Sequence, residues 1–599
     1  MIYHCEDHTC NYWDEGEKLP ERCPQCGRKL LRANEADMTG DDWTALGNTL
    51  WYAEASDKKR MVDCFRKAAY LGSAWGVCNL GICMEQGNGV EADPVQAFWL
   101  YQQAVEMGSL NAVCCLGVCY QYGIGTAPDA KQAAELYCKA AEYGSPRGQM
   151  LLARAFHDGI GVEADAAEAV HWVRAAAYQR YGEGMHRLGV CYAYGDGVEQ
   201  NWEHAVHWFR EAAESGVSVA MTDLGYCYEK GCGVEQSWEQ AFSWYRRGAE
   251  CGYPVSMSNL GLCYKRGYGV EQNWQEAIKW YEQGAQCGDL QSMHNLACCY
   301  EGGEGVEQNE DRAFYWYRRS AEGGNGVAMC NLGWCYQRGY GVEQNEERAL
   351  YWYRRGAEAG SDYCMYCLGW NYSNGEGVEQ NMTEAIRWYT AAAEGGNADA
   401  MHDLGWHYDH GEGVEQDMKK AICWYERAAE QNHPAAMNSL GECYAMGRGV
   451  PRDLETAMEW YRRAAELGEA MADYNMGWHL EQAGKLSEAY AHYRKAADGN
   501  DDSAWWALGR FYENGVVVAQ DGKEARRCYE TGEKLGSVKC KMRLARCKLL
   551  GIGGRREKKA GLDLCRQALE LAKESSEKED YGYEAEMNLL RRTIAENES

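Results

Sequence analysis

A 36-residue period runs through most of this sequence. Leucine recurs at that spacing from Leu80 to Leu440, and glycine does so from Gly87 to Gly447. Periods of this length are typical of arrays in which one small unit is copied and each copy buries its apolar face against its neighbours. The period therefore predicts one extended solenoid and not a series of separate globular domains. We call Leu80 to Leu440, with their counterparts Met476, Leu508 and Leu544 at the end of the array, the period residues.

One period has the pattern of two helices joined by a glycine loop. In the unit that begins at Ala220, Leu224 and Cys227 lie with Ala220 on one helical face, which predicts an apolar helix A. The glycines of residues 231–234 are expected to end this helix, because glycine tolerates a positive φ. Residues 241–250 then predict a helix B with one buried side.

A second glycine position lies inside helix A. Glycine follows the period residue in most units, as Gly225 and Gly261 do. In the middle of a helix, glycine costs about 1 kcal/mol relative to alanine. We therefore expect a close backbone approach of helix B at this position.

The string Leu-Gly-x-Cys-Tyr, followed by Gly-x-Gly-Val and by Ala-x-x-Trp-Tyr-x-x-Ala-Ala, closely resembles the Sel1-like repeat, a longer relative of the tetratricopeptide repeat. The resemblance implies an all-α fold, a right-handed superhelix of some fifteen helical hairpins, with helix A on the concave side. It also implies a scaffold or adaptor role. We expect a small zinc ribbon at residues 1–37, the solenoid at 38–575 and a capping helix at 576–599.

Nine of the 29 cysteines fall at one position, three residues after the period residue, as in Cys119, Cys227 and Cys263. Packed helices lie about 8–10 Å apart, whereas a disulfide needs Cα atoms within about 7 Å. We expect buried free thiols in this column. A cysteine-rich bacterial branch of the Sel1-like family joins paired cysteines in each repeat, and this chain departs from that pattern.

The start of the chain has no secretory signal pattern, which favours a cytoplasmic location.

Four cysteines precede the repeats. Cys5 and Cys10 form one pair, Cys23 and Cys26 a second, and two such pairs can hold a metal ion tetrahedrally. This stretch resembles rubredoxin-like modules and zinc ribbons, but Asp7 stands where the rubredoxin pattern carries cysteine. That departure favours structural Zn²⁺ over redox-active iron. The module is expected to cap the first repeat or to dock a partner.

Tryptophan recurs two residues after the period residue, where a helix A side chain should face the groove. The sites are Trp334, Trp370, Trp406 and Trp478. Because tryptophan is enriched in binding hot spots, we interpret these residues as partner contacts. The alternative is that they fill the seam between adjacent A helices.

A polar column lies one residue before the period residue and includes Asn259, Asn295 and Asn331. Asparagine amides can bond the backbone of an extended peptide, as in the peptide-binding tetratricopeptide grooves that this column resembles. We therefore predict that these three residues help to bind a partner.

The formal net charge of -29 limits the classes of partner. Such a field disfavours nucleic-acid phosphates and anionic membranes and favours a basic protein or peptide. Seven loop glutamates, one in each Gly-Val-Glu-Gln, are a candidate surface for such a partner or a solvated edge: Glu199, Glu235, Glu271, Glu307, Glu343, Glu379 and Glu415.

The sequence contains neither a phosphate-binding Gly-x-x-x-x-Gly-Lys-Ser/Thr motif nor a zinc-hydrolase His-Glu-x-x-His motif, so it does not indicate an enzyme. Together the patterns predict a cytoplasmic scaffold or adaptor that binds a peptide or protein on the concave face. The alternative is an electron-transfer component with iron at the four-cysteine site and the solenoid as its docking arm.

Overall fold

The computed structural model describes residues 2–5, 13–15, 30–33, 37–51, 55–578 and 584–598. The chain forms two compact units, residues 1–308 and residues 309–599. Within the described ranges there are thirty-one helices, and twenty-eight of them form fourteen hairpins, seven in each unit. The prediction of a helical repeat solenoid is confirmed.

Three short strands precede the helices: β1 (Ile2–Cys5), β2 (Trp13–Glu15) and β3 (Leu30–Ala33). They form an antiparallel sheet in the order β2-β1-β3, in which Ile2 pairs with Glu15 on one side and with Ala33 on the other. Of the four predicted zinc ligands, Cys5 ends β1, whereas Cys10, Cys23 and Cys26 lie outside the described residues.

Unit 1 contains fifteen helices in the described residues: α1 (Gly40–Thr49), α2 (Ala55–Tyr70), α3 (Ala74–Gln86), α4 (Pro94–Glu106), α5 (Leu110–Tyr122), α6 (Ala130–Glu142), α7 (Pro146–Asp158), α8 (Ala166–Tyr178), α9 (Gly182–Tyr194), α10 (Trp202–Glu214), α11 (Ser218–Lys230), α12 (Trp238–Glu250), α13 (Pro254–Arg266), α14 (Trp274–Gln286) and α15 (Leu290–Gly302).

Unit 2 contains sixteen helices in the described residues: α16 (Glu310–Glu322), α17 (Gly326–Arg338), α18 (Glu346–Glu358), α19 (Asp362–Asn374), α20 (Met382–Glu394), α21 (Ala398–His410), α22 (Met418–Glu430), α23 (Pro434–Met446), α24 (Leu454–Glu466), α25 (Ala470–Gln482), α26 (Leu486–Asp498), α27 (Asp502–Asn514), α28 (Gly522–Lys534), α29 (Val538–Leu550), α30 (Lys558–Lys578) and α31 (Glu584–Glu598).

Odd-numbered helices up to α29 are A helices, and even-numbered helices up to α30 are B helices. Within each of the fourteen hairpins the A helix packs against its B helix, and consecutive A helices of a unit also contact each other, as α13 and α15 do in unit 1 and α17 and α19 do in unit 2. The A helices of each unit therefore form one layer and the B helices a second. The last helix, α31, packs against α29 and α30. No helix in the described ranges has the combination of length and apolar character that crossing a bilayer requires.

In ten hairpins the core contains a tyrosine of helix B that lies on the glycine of helix A. A Cβ atom added at Gly225 would lie 2.6 Å from the ring of Tyr245, and one at Gly261 would lie 2.5 Å from the ring of Tyr281. Both tyrosine side chains are fully buried. The expected close approach of helix B is confirmed, but it is made chiefly by an aromatic ring and not by the helix B backbone.

Several of these tyrosines also bond to the end of helix A through their hydroxyl groups. Tyr245 donates to Glu229 at 2.8 Å, and burial raises the pKa of Tyr245, so its hydroxyl stays protonated. In the next repeat, Lys265 stands in place of the glutamate and its ammonium group pairs with Glu304 at 2.7 Å. The buried hydroxyl of Tyr281 consequently has no hydrogen-bond partner among the described residues.

The glycine loop joins each hairpin to the one before it. Gly231 and Gly233 have φ values of 72° and 70°, so both need the left-handed region that glycine tolerates. A Cβ at Gly233 would clash with the carbonyl of Trp202, the first residue of the preceding helix B. Gln236 then donates to the Glu229 carbonyl at 2.8 Å and satisfies one group at the end of helix A.

The cysteine column behaves as expected. Cys227 and Cys263 are free and buried, and burial raises the pKa of each thiol to about 12. One disulfide was not predicted: Cys330 of α17 and Cys364 of α19 are bonded, with Cα atoms 5.4 Å apart. These residues lie two and four positions before the period residue, outside the column, where adjacent A helices approach closely enough to be bridged.

Replacing Gly261 by alanine tests the packing of tyrosine on glycine. We expect Gly261→Ala to destabilise α13 and α14 by about 1–2 kcal/mol, since overpacking costs more than the gain in helix propensity. Hydrogen exchange of the two helices measures the effect, because solenoids open regionally. Gly302→Ala is the control: its new Cβ would meet only the flexible Glu304 side chain. Equal effects of the two variants would contradict this account.

The two tyrosines provide a matched pair for the hydroxyl contact. Tyr245→Phe should destabilise its hairpin by about 1–3 kcal/mol, because it removes a hydrogen bond to a carboxylate. Tyr281→Phe should leave stability unchanged or raise it, since its buried hydroxyl makes no hydrogen bond within the described ranges that the change could remove. Hydrogen exchange in α11 to α14 distinguishes the two variants, and a comparable loss in both would refute the prediction.

Candidate protein-interaction surface

The side of the A helices that faces away from the B helices is the candidate binding surface in each unit. We call it the A-face and define it by the side chains at five, two and one positions before the period residue and two positions after it. These positions lie away from the leucine and glycine that face helix B. The positions five before and two after the period residue are the exposed part of the A-face, whereas the position two before it holds buried residues such as Ser258 and Cys330.

The structure places the four predicted tryptophans on the A-face of unit 2. Trp334 of α17 and Trp478 of α25 keep 37% and 44% of their surface exposed. Trp370 of α19 and Trp406 of α21 are half-buried. The Trp406 ring stacks on His410 with the ring centres 4.3 Å apart. All four side chains thus combine packing with solvent exposure.

A second set of exposed apolar residues lies two helical turns before the tryptophans. Val327 and Trp334 share the A-face of α17, as Tyr363 and Trp370 share that of α19. Val327 is 54% exposed and Tyr363 is 49% exposed. The sequence analysis missed this position, although its spacing of seven residues from the tryptophan was the available signal.

The polar column proves to be part of a hydrogen-bond ladder between adjacent A helices. Each hydrogen bond of this ladder, which we call a rung, joins side chains of two adjacent A helices. One residue lies two positions before its period residue, and the other lies one position before the period residue of the next repeat. Asn295 donates to Ser258 at 3.4 Å, and its own carbonyl oxygen accepts from Gln291 at 3.0 Å. Asn259 and Asn331 occupy the same position and are half-buried. Three further rungs are His186 with Asp223 at 2.6 Å, Tyr366 with Asp403 at 3.1 Å and Asn475 with Asn438 at 3.0 Å.

In unit 1 the ladder position holds a pair of thiols. Cys78 donates to Cys115, and this hydrogen bond is the main reason that the pKa of Cys115 is lowered. The guanidinium Nη1 of Arg147, 3.6 Å from the Cys115 sulfur, acts in the same direction. Both sulfurs are buried. The sequence analysis did not single out either cysteine, because neither belongs to the column three residues after the period residue.

The seven loop glutamates are all exposed, four in unit 1 and three in unit 2. No group of three or more histidine, cysteine, aspartate or glutamate side chains is placed to hold a metal ion within the described ranges. His407 is buried and contacts the Glu412 carbonyl, whereas His410 stacks on Trp406. The zinc prediction concerns residues that lie largely outside these ranges.

A two-layer helical solenoid with an exposed, variable A-face belongs to the class of repeat proteins that present extended binding surfaces. The Sel1 repeat family model matches fourteen segments, and this chain belongs to the Sel1 repeat family. Proteins with such repeats are generally protein-interaction scaffolds. The matched segments are residues 76–109, 112–145, 146–181, 182–217, 218–253, 254–289, 290–325, 326–361, 362–397, 398–433, 434–469, 470–501, 504–537 and 538–573.

Several solved structures are similar to this chain. A protective antigen of uropathogenic Escherichia coli is 32% identical, with coverage of 75% of this chain and 97% of the antigen and a TM-score of 0.49. A Sel1 repeat protein of Oxalobacter formigenes is 33% identical over 41% of this chain and 96% of its own, with a TM-score of 0.38. An immunity protein of Pseudomonas aeruginosa is 20% identical over 36% and 82%, with a TM-score of 0.29. No curated protein sequence matches the chain significantly.

Proposed function

We propose that the protein is a non-enzymatic cytoplasmic scaffold or adaptor. It would bind a segment of a partner protein along the A-face, which would line the concave side of the solenoid. The observation that carries the proposal is the recurrence of exposed tryptophan at one position on the A helices of unit 2. Large apolar side chains that recur on one exposed face are typical of binding surfaces.

Trp334 and Trp478 are the strongest candidate anchors, because packing within the solenoid leaves more than a third of each side chain in contact with water. Trp370 and Trp406 would contribute one exposed edge each. A partner that covers these rings gains apolar burial of about 25 cal/mol per Å². Filling the seam between A helices accounts for the buried part of each ring but not for its exposed part.

We propose that Asn259, Asn295 and Asn331 orient the partner backbone beside the apolar contacts. Asn295 already contacts Ser258 and Gln291, so a bound segment would share or replace one rung of the ladder. The exposed loop glutamates lie in the loops between helix A and helix B, where they would attract basic residues of the same partner.

We further propose that Cys5, Cys10, Cys23 and Cys26 hold a structural Zn²⁺ ion. Four thiolates would complete its coordination and leave no position for catalysis. A module of this size buries too little apolar surface to fold without such a link, so the ion would stabilise the region before α1.

Removing two tryptophans tests the binding surface. In capture experiments from the native host, Trp370→Ala with Trp406→Ala should reduce recovery of the specific partner at least tenfold, since hot-spot tryptophans each contribute about 2 kcal/mol or more. The recovered protein is then purified and its affinity for each variant is measured by titration.

The matched control removes two tryptophans of the B helices. Trp352 and Trp388 are also half-buried, and each carries an arginine over its ring, Arg355 and Arg387. Trp352→Ala with Trp388→Ala should leave the affinity unchanged. Both double variants are compared by circular dichroism. If partner recovery is the same for the two, the A-face tryptophans do not form the binding surface.

Metal analysis tests the four-cysteine site. We expect about one Zn²⁺ ion per chain, a colourless protein and loss of the metal in Cys23→Ser. Bound iron with visible thiolate absorption would instead favour the electron-transfer alternative. A full-length protein that binds neither metal would refute the site.

A further inference from the structure

One hairpin of unit 1 lacks the aromatic ring that forms the core of its neighbours. Twelve of the fourteen hairpins place a tyrosine or phenylalanine of helix B on a glycine of helix A, as Phe209 and Gly189 do in α9 and α10. In the hairpin of α7 and α8, Val173 stands at the position of the ring and Ala153 at the position of the glycine. A valine reaches less far than an aromatic ring, so the hairpin does not fill this space with its own side chains.

A cavity of about 370 Å³ lies at this place, between α7, α8 and α9. The buried part of its lining, which we call the floor, consists of Ala153, Ala169, Val170, Val173 and Cys191. An apolar cavity of about 150 Å³ is large enough to bind benzene. A phenyl ring therefore fits into this cavity and leaves room for the atoms that attach it to a chain.

The cavity occupies the place in its repeat that a tyrosine ring occupies elsewhere. The hydroxyl of Tyr101 in α4 donates to Glu85 at 2.6 Å, and burial together with the nearby Cys115 raises the pKa of Tyr101. Glu85 lies five positions after its period residue, and Cys115 lies one position before the next. At the same two positions around α7 stand His157 and Arg187, and both line the cavity. The surroundings of an aromatic ring are thus present without the ring.

The mouth of the cavity lies on the A-face. Arg154 and Glu183, two after and five before their period residues, line the cavity and are exposed. Glu183 also accepts a hydrogen bond from Tyr181 at 3.2 Å. His157 and Asp158, at the end of α7, are exposed as well. A ligand that enters from the A-face therefore meets polar groups first and the apolar floor last.

Charged groups at the mouth already pair with one another. Arg154 and His157 contact Asp158 at 3.3 and 2.7 Å. Arg187 and His157 contact Asp196 at 3.1 and 3.4 Å. An ionic ligand would have to compete with these contacts, whereas an apolar group gains burial on the floor without disturbing them. The cavity therefore favours a ligand with a neutral, apolar end.

We propose that this cavity binds a phenylalanine side chain of the protein partner. Its ring would lie on the floor, where a helix B tyrosine lies in other repeats, and its main chain would meet the polar groups at the mouth. The ring enters with its far edge first, so a tyrosine hydroxyl would lose its water on the apolar floor, and phenylalanine fits better. This inference rests on the proposed function, because the cavity opens on the A-face along which the partner would bind.

Filling the cavity from within the hairpin tests the proposal. Val173→Tyr with Ala153→Gly restores the tyrosine and the glycine of the other repeats, so the fold should persist, and circular dichroism verifies that it does. The probe is N-acetyl-para-fluorophenylalanine amide, and fluorine NMR titration of the full chain measures its affinity. Because the new ring takes the place of the probe ring, binding should weaken at least tenfold. If this variant does not fold, Val173→Phe with Ala153→Gly, which copies Phe209 and Gly189, is used in its place.

The matched control is Ala167→Tyr, which adds the same ring at an exposed position of α8. Its affinity for the probe should stay within about twofold of wild type, because exposed substitutions away from a binding site have small effects. Equal weakening in the control and in the filled variant would overturn the proposal. A wild-type protein that does not bind the probe at millimolar concentrations would overturn it as well.

Competing compounds identify the ligand. N-acetylphenylalanine amide should displace the probe, whereas the corresponding alanine amide should not, and the tyrosine amide should displace it less well. Equal displacement by the tyrosine and phenylalanine amides would overturn the assignment to phenylalanine. Free phenylalanine carries the same ring with two charges, and stronger displacement by it would assign the cavity to a free amino acid and overturn the proposal.

Partner capture separates this inference from the proposed function. The variant with Val173→Tyr and Ala153→Gly should recover less of the partner than wild type does. Unchanged recovery, in a variant that no longer binds the probe, would overturn this inference and leave the proposed function standing. The Trp370→Ala, Trp406→Ala variant should bind the probe normally, so the two proposals fail independently.

Discussion

The structure depends on the contact between a buried helix B tyrosine and a helix A glycine. The absence of a side chain at Gly225 lets the ring of Tyr245 lie directly on helix A, and its hydroxyl then reaches Glu229. The tyrosine thus joins the two helices both by dispersion, through its ring, and by a hydrogen bond, through its hydroxyl group. Because the contact recurs from hairpin to hairpin, it sets the separation of the two layers. The helix-propensity cost of the glycine is offset by the packing that it permits.

That arrangement explains why the A-face can carry function. The residues needed for stacking are confined to the side that faces helix B, so the opposite side is not constrained by the core. Unit 2 uses this freedom twice, with Trp334 on α17 and Arg546 on α29 at the same position of the repeat. A repeat protein acquires a recognition surface by such substitutions, one copy at a time.

The period, the hairpins and the need for a close approach at Gly225 were predictable, since each leaves a local or strictly repeated signal in the sequence. The ladder between adjacent A helices was not, because its partners are 37 residues apart and differ in type from rung to rung, as His186 with Asp223 and Asn475 with Asn438 show. The disulfide escaped prediction for a related reason: its two cysteines occupy different positions of the repeat, two and four before the period residue, so no single column of the period pairs them. Of the candidate site, the tryptophans could be found from their spacing.

The loop glycines give the array a direction of assembly. Gly233 covers the first residue of the helix B before it, so a hairpin is complete only when the following loop has been made. During synthesis each new repeat would complete the packing of the repeat before it as the chain leaves the ribosome. Growth of the native structure is then vectorial, and the most recently made hairpin is always the one with an open end.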